Sequence, residues 1–343
     1  NLSIKEGSAS SIMSGVGDSY ISPYALAIGA NNLQIGLLSS FVGLLGPLSQ
    51  LFGSKVMEKY SRRKIILISV TLQALMWIPI LALSLFFIKD IFKAYLPVIL
   101  IIFYSIYAIL GSIGGPAWFL LLGEIVPENI RGKYFGRRNK ICGTVALVST
   151  LAAAFVLDYA KTGGYLLLIF SALFFIASIT RIIAAYYFTK HYYPEFKPKE
   201  GYYFTFFQFI KKAPFNNFGR FTIYISLINL TVQIAGPFFT VYMLKDLHFS
   251  YLTFTMINAS ASTFSLITMS LWGKVSDKYG NREMLKIGSI IIPFVPFLWL
   301  FSSSPIYLIL VPQLLSGVGW AAFNLAAGNF IYDSVSQQRR GLC

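Results

Sequence analysis

Ten long apolar runs, each separated from the next by a few polar residues, dominate the chain: near 9–29, 33–57, 64–88, 94–124, 138–157, 164–189, 220–244, 251–273, 285–303 and 305–332. Each approaches the roughly 20 residues that an α-helix needs to cross a bilayer core. The pattern predicts an all-α polytopic membrane protein. A transmembrane barrel would instead show alternating segments of about 10 residues, and these runs are too long and too uniformly apolar. The first run holds Asp18 and leads straight into further spans, so it does not read as a cleaved signal.

Composition strengthens this reading. Hydrophobic residues make up 56% of the chain and charged residues 12%, too few charges for a water-facing surface, where about 25% is usual. A net charge of +15 would suit nucleic acid, but the positions of the bases argue otherwise. With the N-terminus in the cytoplasm, 23 Lys and Arg fall on that side. Only Lys89, Lys93, Lys161 and Lys245 fall on the other, with Arg181 inside a span. The asymmetry orients the protein in a cell membrane, with lipid as its partner and no nucleic acid.

Catalytic chemistry is hard to place. Cys142 and Cys343 make neither a disulfide framework nor a metal-ligand spacing, His191 and His248 join no constellation, and no phosphate-binding glycine loop occurs. The expectation is a protein without cofactor or metal that is not an enzyme. An integral-membrane enzyme and a receptor without flux remain the alternatives.

The longest polar stretch divides the chain into 1–189, a cytoplasmic loop at 190–219 and 220–343. The loop is basic and aromatic, which suits an amphipathic segment on the membrane surface; a disordered tether is the other reading. The two halves echo each other. Residues 54–63 and 273–282 are identical at five of ten positions at a constant offset of 219, including Lys59 with Lys278 and Arg63 with Arg282. Glu58 stands opposite Asp277, and Ser54 and Ser61 opposite Gly273 and Gly280. Glu124 is followed seven positions later by Arg131 and Gly132, and Asp333 likewise by Arg340 and Gly341.

On these residues the chain resembles the major facilitator superfamily. Its signature between helices 2 and 3 is met by 273–282 except at Asn281. In the first half it is met with Ser54, Glu58 and Ser61 in place of two glycines and an aspartate. The stretch from Gly123 to Gly132 is similar to the family's helix 4 ending, especially in its sugar-porter branch.

The resemblance implies two six-helix bundles related by a pseudo-twofold axis along the membrane normal. It further implies a secondary transporter, functional as a monomer, that moves a small-molecule solute by alternating access. Ten spans against the family's twelve imply a chain that stops where helix 11 should begin. Sugars and organic acids are slightly favoured as solutes, and coupling to a proton or cation is left open. A drug antiporter is disfavoured, because helix 5 lacks that branch's glycine- and proline-rich signature. By the same resemblance Glu58 and Asp277 are gate residues. Glu124 and Asp333 would pair with bases such as Arg62, Arg63, Arg131, Arg282 and Arg340.

Polar groups inside spans are costly unless they line a cavity or find a partner. Asp18 is the leading candidate for coupling or solute contact. Arg181 either compensates it or snorkels to the headgroups. In the family, helices 1, 4, 7 and 10 line the cavity, which points to Asp18, Tyr20, Tyr24, Trp118, Asn229, Gln233, Tyr242, Asn324 and Asn329. Any of the amides could equally be an interhelical hydrogen bond.

Overall fold

The computed structural model describes residues 1–127, 130–193, 211 and 213–334, with the side chains at 53–55, 58, 131–133 and 331–334 outside the description. Most of the predicted surface loop at 190–219 thus lies outside the described residues. Every regular element among the described residues is helical. Among the described residues seven segments are long and apolar enough to cross a membrane: Asn32–Phe52, Arg62–Ile88, Lys93–Ile125, Tyr134–Gly163, Leu166–Thr189, Asn217–Asp246 and Pro305–Phe330.

The three other predicted runs are helical too, and each falls short for a physical reason. The first is interrupted: α1 (Leu2–Val16) ends in a 3-10 turn at Asp18–Tyr20, and α2 (Ile21–Ala27) follows. The run at 251–273 is rich in Ser, Thr and Asn, which lowers its hydropathy, and the run at 285–303 begins in a helix that opens with Arg282, Glu283 and Lys286.

The remaining helices of the first half are α3 (Asn32–Lys59), α4 (Arg62–Ile88), α5 (Leu96–Ile125), α6 (Arg131–Gly163) and α7 (Leu166–Thr189). Their boundaries follow capping chemistry. Asn31 and Gln34 form a reciprocal capping box at the start of α3. The Ser61 hydroxyl accepts from the Lys64 N–H at the start of α4. Later come α8 (Asn217–Val241), a π-turn at Tyr242–Asp246, α9 (Tyr251–Tyr279), α10 (Asn281–Leu298), α11 (Pro305–Leu308), a second π-turn at Ile309–Gln313 and α12 (Leu314–Ser334).

The chain divides into two compact units. The first comprises Asn1–Pro198 with Thr240–Asp246 and Ser250–Leu252. In it α1 packs on α6 and α7, α4 on α5 and α7, and α3 on α5. Its core is aromatic: Tyr20, Tyr24, Trp77, Phe170 and Phe174 are fully buried. The Trp77 ring stacks on Phe174 with centroids 5.2 Å apart, and Tyr24 meets Phe174 edge-on at 4.9 Å.

Lipid gives helices no hydrophobic drive to associate, so close packing and hydrogen bonds carry the association. Tyr20 donates to the Thr150 carbonyl at 2.6 Å, Ser178 to the Ala74 carbonyl at 2.8 Å, and Ser171 to the Leu81 carbonyl at 3.2 Å. Asp158 accepts from the backbone N–H groups of Tyr251 and Leu252, both in this unit, at 2.6 and 2.9 Å.

In the second unit α10 packs on α12. Met284, Ile292, Ala322, Phe323 and Ala326 are buried between them, with Phe221 and Ile225 of α8 and Trp272 of α9 against this core.

Candidate solute cavity

A stripe of polar residues on α1 begins the site. Ser3, Glu6, Ser10, Ser14 and Asp18 recur every three or four residues, which places them along one face of a helix. Around that stripe α4, α5, α6 and α7 leave a cavity of about 550 Å³ inside the first unit. Glycines make much of the room: Gly111, Gly114 and Gly115 from α5 and Gly143 from α6 form part of its wall.

Four charged side chains face this space. Glu6 and Arg138 are a pair, with Oε1 and Nη2 3.0 Å apart and residue exposures of 2% and 8%. The Arg138 Nε–H also donates to the Ser3 hydroxyl at 2.8 Å, and the Trp118 indole N–H reaches the same Glu6 oxygen at 3.4 Å. The guanidinium lies 5.1 Å from the Trp118 ring centre, within cation–π range. Gly7 permits this approach, because a Cβ there would stand 2.7 Å from Arg138 Nη2 and from the Cys142 sulfur.

The other two charges are held by neutral partners. Arg181 donates to the Ser10 hydroxyl at 2.8 Å and to the side-chain oxygen of Gln73. Gln73 is itself fixed by donating to the Tyr107 carbonyl at 3.1 Å. Asp18 accepts from the Tyr104 hydroxyl at 3.2 Å and sits on the 3-10 turn that interrupts helix 1. Arg181 therefore reaches into the cavity. Among the described residues no cluster of His, Cys, Asp and Glu could hold a metal ion.

Such a polar chamber inside a bundle of apolar helices suits a solute path, and the match of residues 8–342 to the family described as Major Facilitator Superfamily decides the relationship. The chain belongs to the Major Facilitator Superfamily. Solved structures of transporters share its fold. A variant of the nucleoside transporter NupG aligns with a TM-score of 0.69 at 16% identity, covering 99% of this chain and 85% of that one. A bacterial homologue of the iron transporter ferroportin in an inward-facing state gives 0.64 at 14%, covering 99% and 84%. A D-xylose-proton symporter gives 0.60 at 14%, covering 99% and 82%. At these identities the likeness is one of fold. No curated protein sequence matches the chain.

Within this superfamily member, the residues expected from the sequence are distributed unevenly. Asp18 and Trp118 line the cavity. Tyr20 and Tyr24 do not: both are fully buried in the aromatic core, with the Tyr24 hydroxyl 2.9 Å from that of Ser84. In the second unit Asn229, Gln233 and Asn324 are exposed, and Asn229 donates to the Ile225 carbonyl of its own helix. Tyr242 lies half-buried on the first π-turn. Asn329 donates to Asn281 at 3.1 Å and to Ser276 at 3.5 Å.

Of the expected gate residues, Arg62 and Glu124 form an ion pair at 2.9 Å. Arg63 donates to the Thr189 carbonyl at 3.3 Å and lies 5.8 Å from the Tyr193 ring. Lys59, Asp277, Lys278 and Arg282 are exposed, Gly273 lies within α9, and Gly280 turns the chain between α9 and α10 at φ +82°. The side chains of Ser54, Glu58, Arg131 and Asp333, the contacts of Gly132, and Arg340 lie outside the described residues.

Glu6 and Arg138 were not singled out by the sequence reading. The signal that could have found them is the period of the stripe on α1, which extends the polar face back past residue 9.

Proposed function

We propose that this superfamily transporter is a secondary active carrier that moves a small organic solute, a sugar or an organic acid, across the cell membrane by alternating access. Asp18 would serve as its coupling acid. The observation that carries the reading is the placement of Asp18: a carboxylate lining a polar cavity, held by a tyrosine hydroxyl, on a break in helix 1. A carboxylate there can exchange a proton with a solute-accessible space, and a break between helical segments lets its position change with the backbone. The Arg62–Glu124 pair at the start of α4 and the end of α5 supports a gate built from exchangeable ion pairs. The excess of bases in alternate connections supports a cytoplasmic N-terminus, and a monomer is the proposed functional state.

Solute counterflow in proteoliposomes, with and without an imposed pH gradient, tests the proposal. Wild-type protein should respond to the gradient, and Asp18→Asn should retain counterflow while losing that response. An unchanged gradient response in Asp18→Asn removes Asp18 from coupling, and absence of counterflow for every solute tried removes the carrier reading.

A further inference from the structure

The four charges of the cavity sort into one closed ion pair and two opposite charges, Arg181 and Asp18, that act on each other across the cavity without an ion-pair contact. Glu6 and Arg138 satisfy each other at 3.0 Å. Among the described residues Arg181 has no carboxylate within ion-pair distance. Its partners are the neutral Ser10 and Gln73, and its Nε–H is buried with no hydrogen-bond partner. Of the five N–H groups a guanidinium carries, two are engaged.

A guanidinium inside a membrane bundle is costly unless charge is brought to it. Gln73 does not bring charge: it is 5% exposed, anchored on the Tyr107 carbonyl, and serves to aim the guanidinium. A planar fork held this way, with N–H groups to spare and an open cavity beside it, is shaped for a carboxylate taken on two parallel hydrogen bonds.

We propose that the solute is an organic monoanion whose carboxylate binds Arg181. This rests on the carrier reading above and decides between the two solute classes left there. The charge balance supports it. A monocarboxylate matches Arg181 and a proton matches Asp18, so the loaded cavity carries the same net charge as the empty one and no surplus charge enters the bilayer interior. A phosphate dianion would need a second free cation, and Arg138 is committed to Glu6. A cationic solute would be repelled by Arg181 and would compete with the proton for Asp18, and a neutral sugar would leave the spare N–H groups of the guanidinium without an ionised partner. The volume of about 550 Å³ falls in the usual range for small-ligand sites, and Met13 and the Trp118 ring supply an apolar wall for the rest of such a molecule.

Cys142 lines the same cavity and serves as a reporter. Full-length protein carrying Cys343→Ser would be labelled with N-ethylmaleimide in the presence of benzoate or lactate, and in parallel with benzamide or lactamide. Expected: at least one carboxylate slows labelling of Cys142, its amide does not, and Arg181→Gln weakens the protection at least tenfold while Arg181→Lys retains part of it. Folding of each variant is checked by monodispersity and by its labelling rate without solute. Equal protection by the amides, undiminished protection in Arg181→Gln, or no protection by either carboxylate overturns the proposal. Counterflow of a neutral sugar but of no carboxylate also overturns it while leaving the carrier reading intact, whereas absence of counterflow for all solutes would sink the carrier reading itself.

Discussion

Nη2 of Arg138 lies 3.0 Å from Oε1 of Glu6, joining the N-terminal part of α1 to the N-terminal part of α6 by a bond between two charges almost wholly withdrawn from solvent. Breaking a buried pair by deleting one member strands the other, which typically costs about 3–5 kcal/mol. Arg138→Ala should therefore lower the melting temperature in detergent sharply. The double variant Glu6→Ala with Arg138→Ala should recover part of the loss, because neither charge is then orphaned. A double variant no more stable than Arg138→Ala alone would mean that the pair is held by something other than mutual compensation.

Gly7 and Gly143 both border the cavity, yet they should respond oppositely to a methyl group. A Cβ at Gly7 meets Arg138 Nη2 and the Cys142 sulfur at 2.7 Å, closer than real Cβ contacts come, while a Cβ at Gly143 meets nothing within 4 Å. Gly7→Ala should cost about 1–3 kcal/mol, the usual penalty of overpacking. Gly143→Ala should be neutral or slightly stabilising, since alanine is the better helix former. Thermal unfolding of the two variants side by side is the check.

The turns after the second helix of each half use different chemistry at matching positions. Arg62 binds Glu124 at 2.9 Å, whereas Asn281, displaced from Arg62 by the repeat offset of 219, accepts from Asn329 at 3.1 Å. Glu124 is exposed to solvent, so Glu124→Gln should cost about 0.5–1 kcal/mol, the range for a screened ion pair, and Asn329→Ala about 1 kcal/mol. Raising the salt concentration should narrow the gap between wild type and Glu124→Gln and leave that for Asn329→Ala unchanged. Equal salt dependence in the two variants would contradict this assignment.

His191, just past the end of α7, offers a pH signature. Burial against the Phe188 ring holds its proton affinity below the ordinary histidine value of 6.5, and the charge of Arg138 acts in the same direction. The folded state thus binds this proton less readily than the unfolded chain. Stability from this group is fully present above pH 6.5 and is lost as the pH falls toward the lowered folded-state value. The melting temperature should decline below pH 6.5, and the decline should be shallower in His191→Phe. Parallel curves for the two proteins would remove His191 from the acid response.

The spans were legible because a run of about 20 apolar residues has few other interpretations. What sits on which face was harder to read. Glu6 and Arg138 were not singled out, since hydropathy starts the first and fifth spans at residues 9 and 138. The helices begin at Leu2 and Arg131, so both charges lie at least one turn inside. Tyr20 and Tyr24 were assigned to the cavity because their helix lines it in the family. A helix has more than one face, however, and these two rings point into the aromatic core. The turn at Asp18–Tyr20 leaves little trace in the sequence beyond Gly17 and Pro23, because a 3-10 step changes only which carbonyl each N–H selects.

That turn gives helix 1 a property no continuous rod would have. The Tyr20 N–H takes the Gly17 carbonyl at 2.9 Å and the Gly17 N–H takes that of Met13, so the backbone shortens its reach just where the acid is attached. In the proposed coupling role, neutralising Asp18 would act on the joint itself, at zero distance. An electrical event there would need no lever arm to become a change of shape.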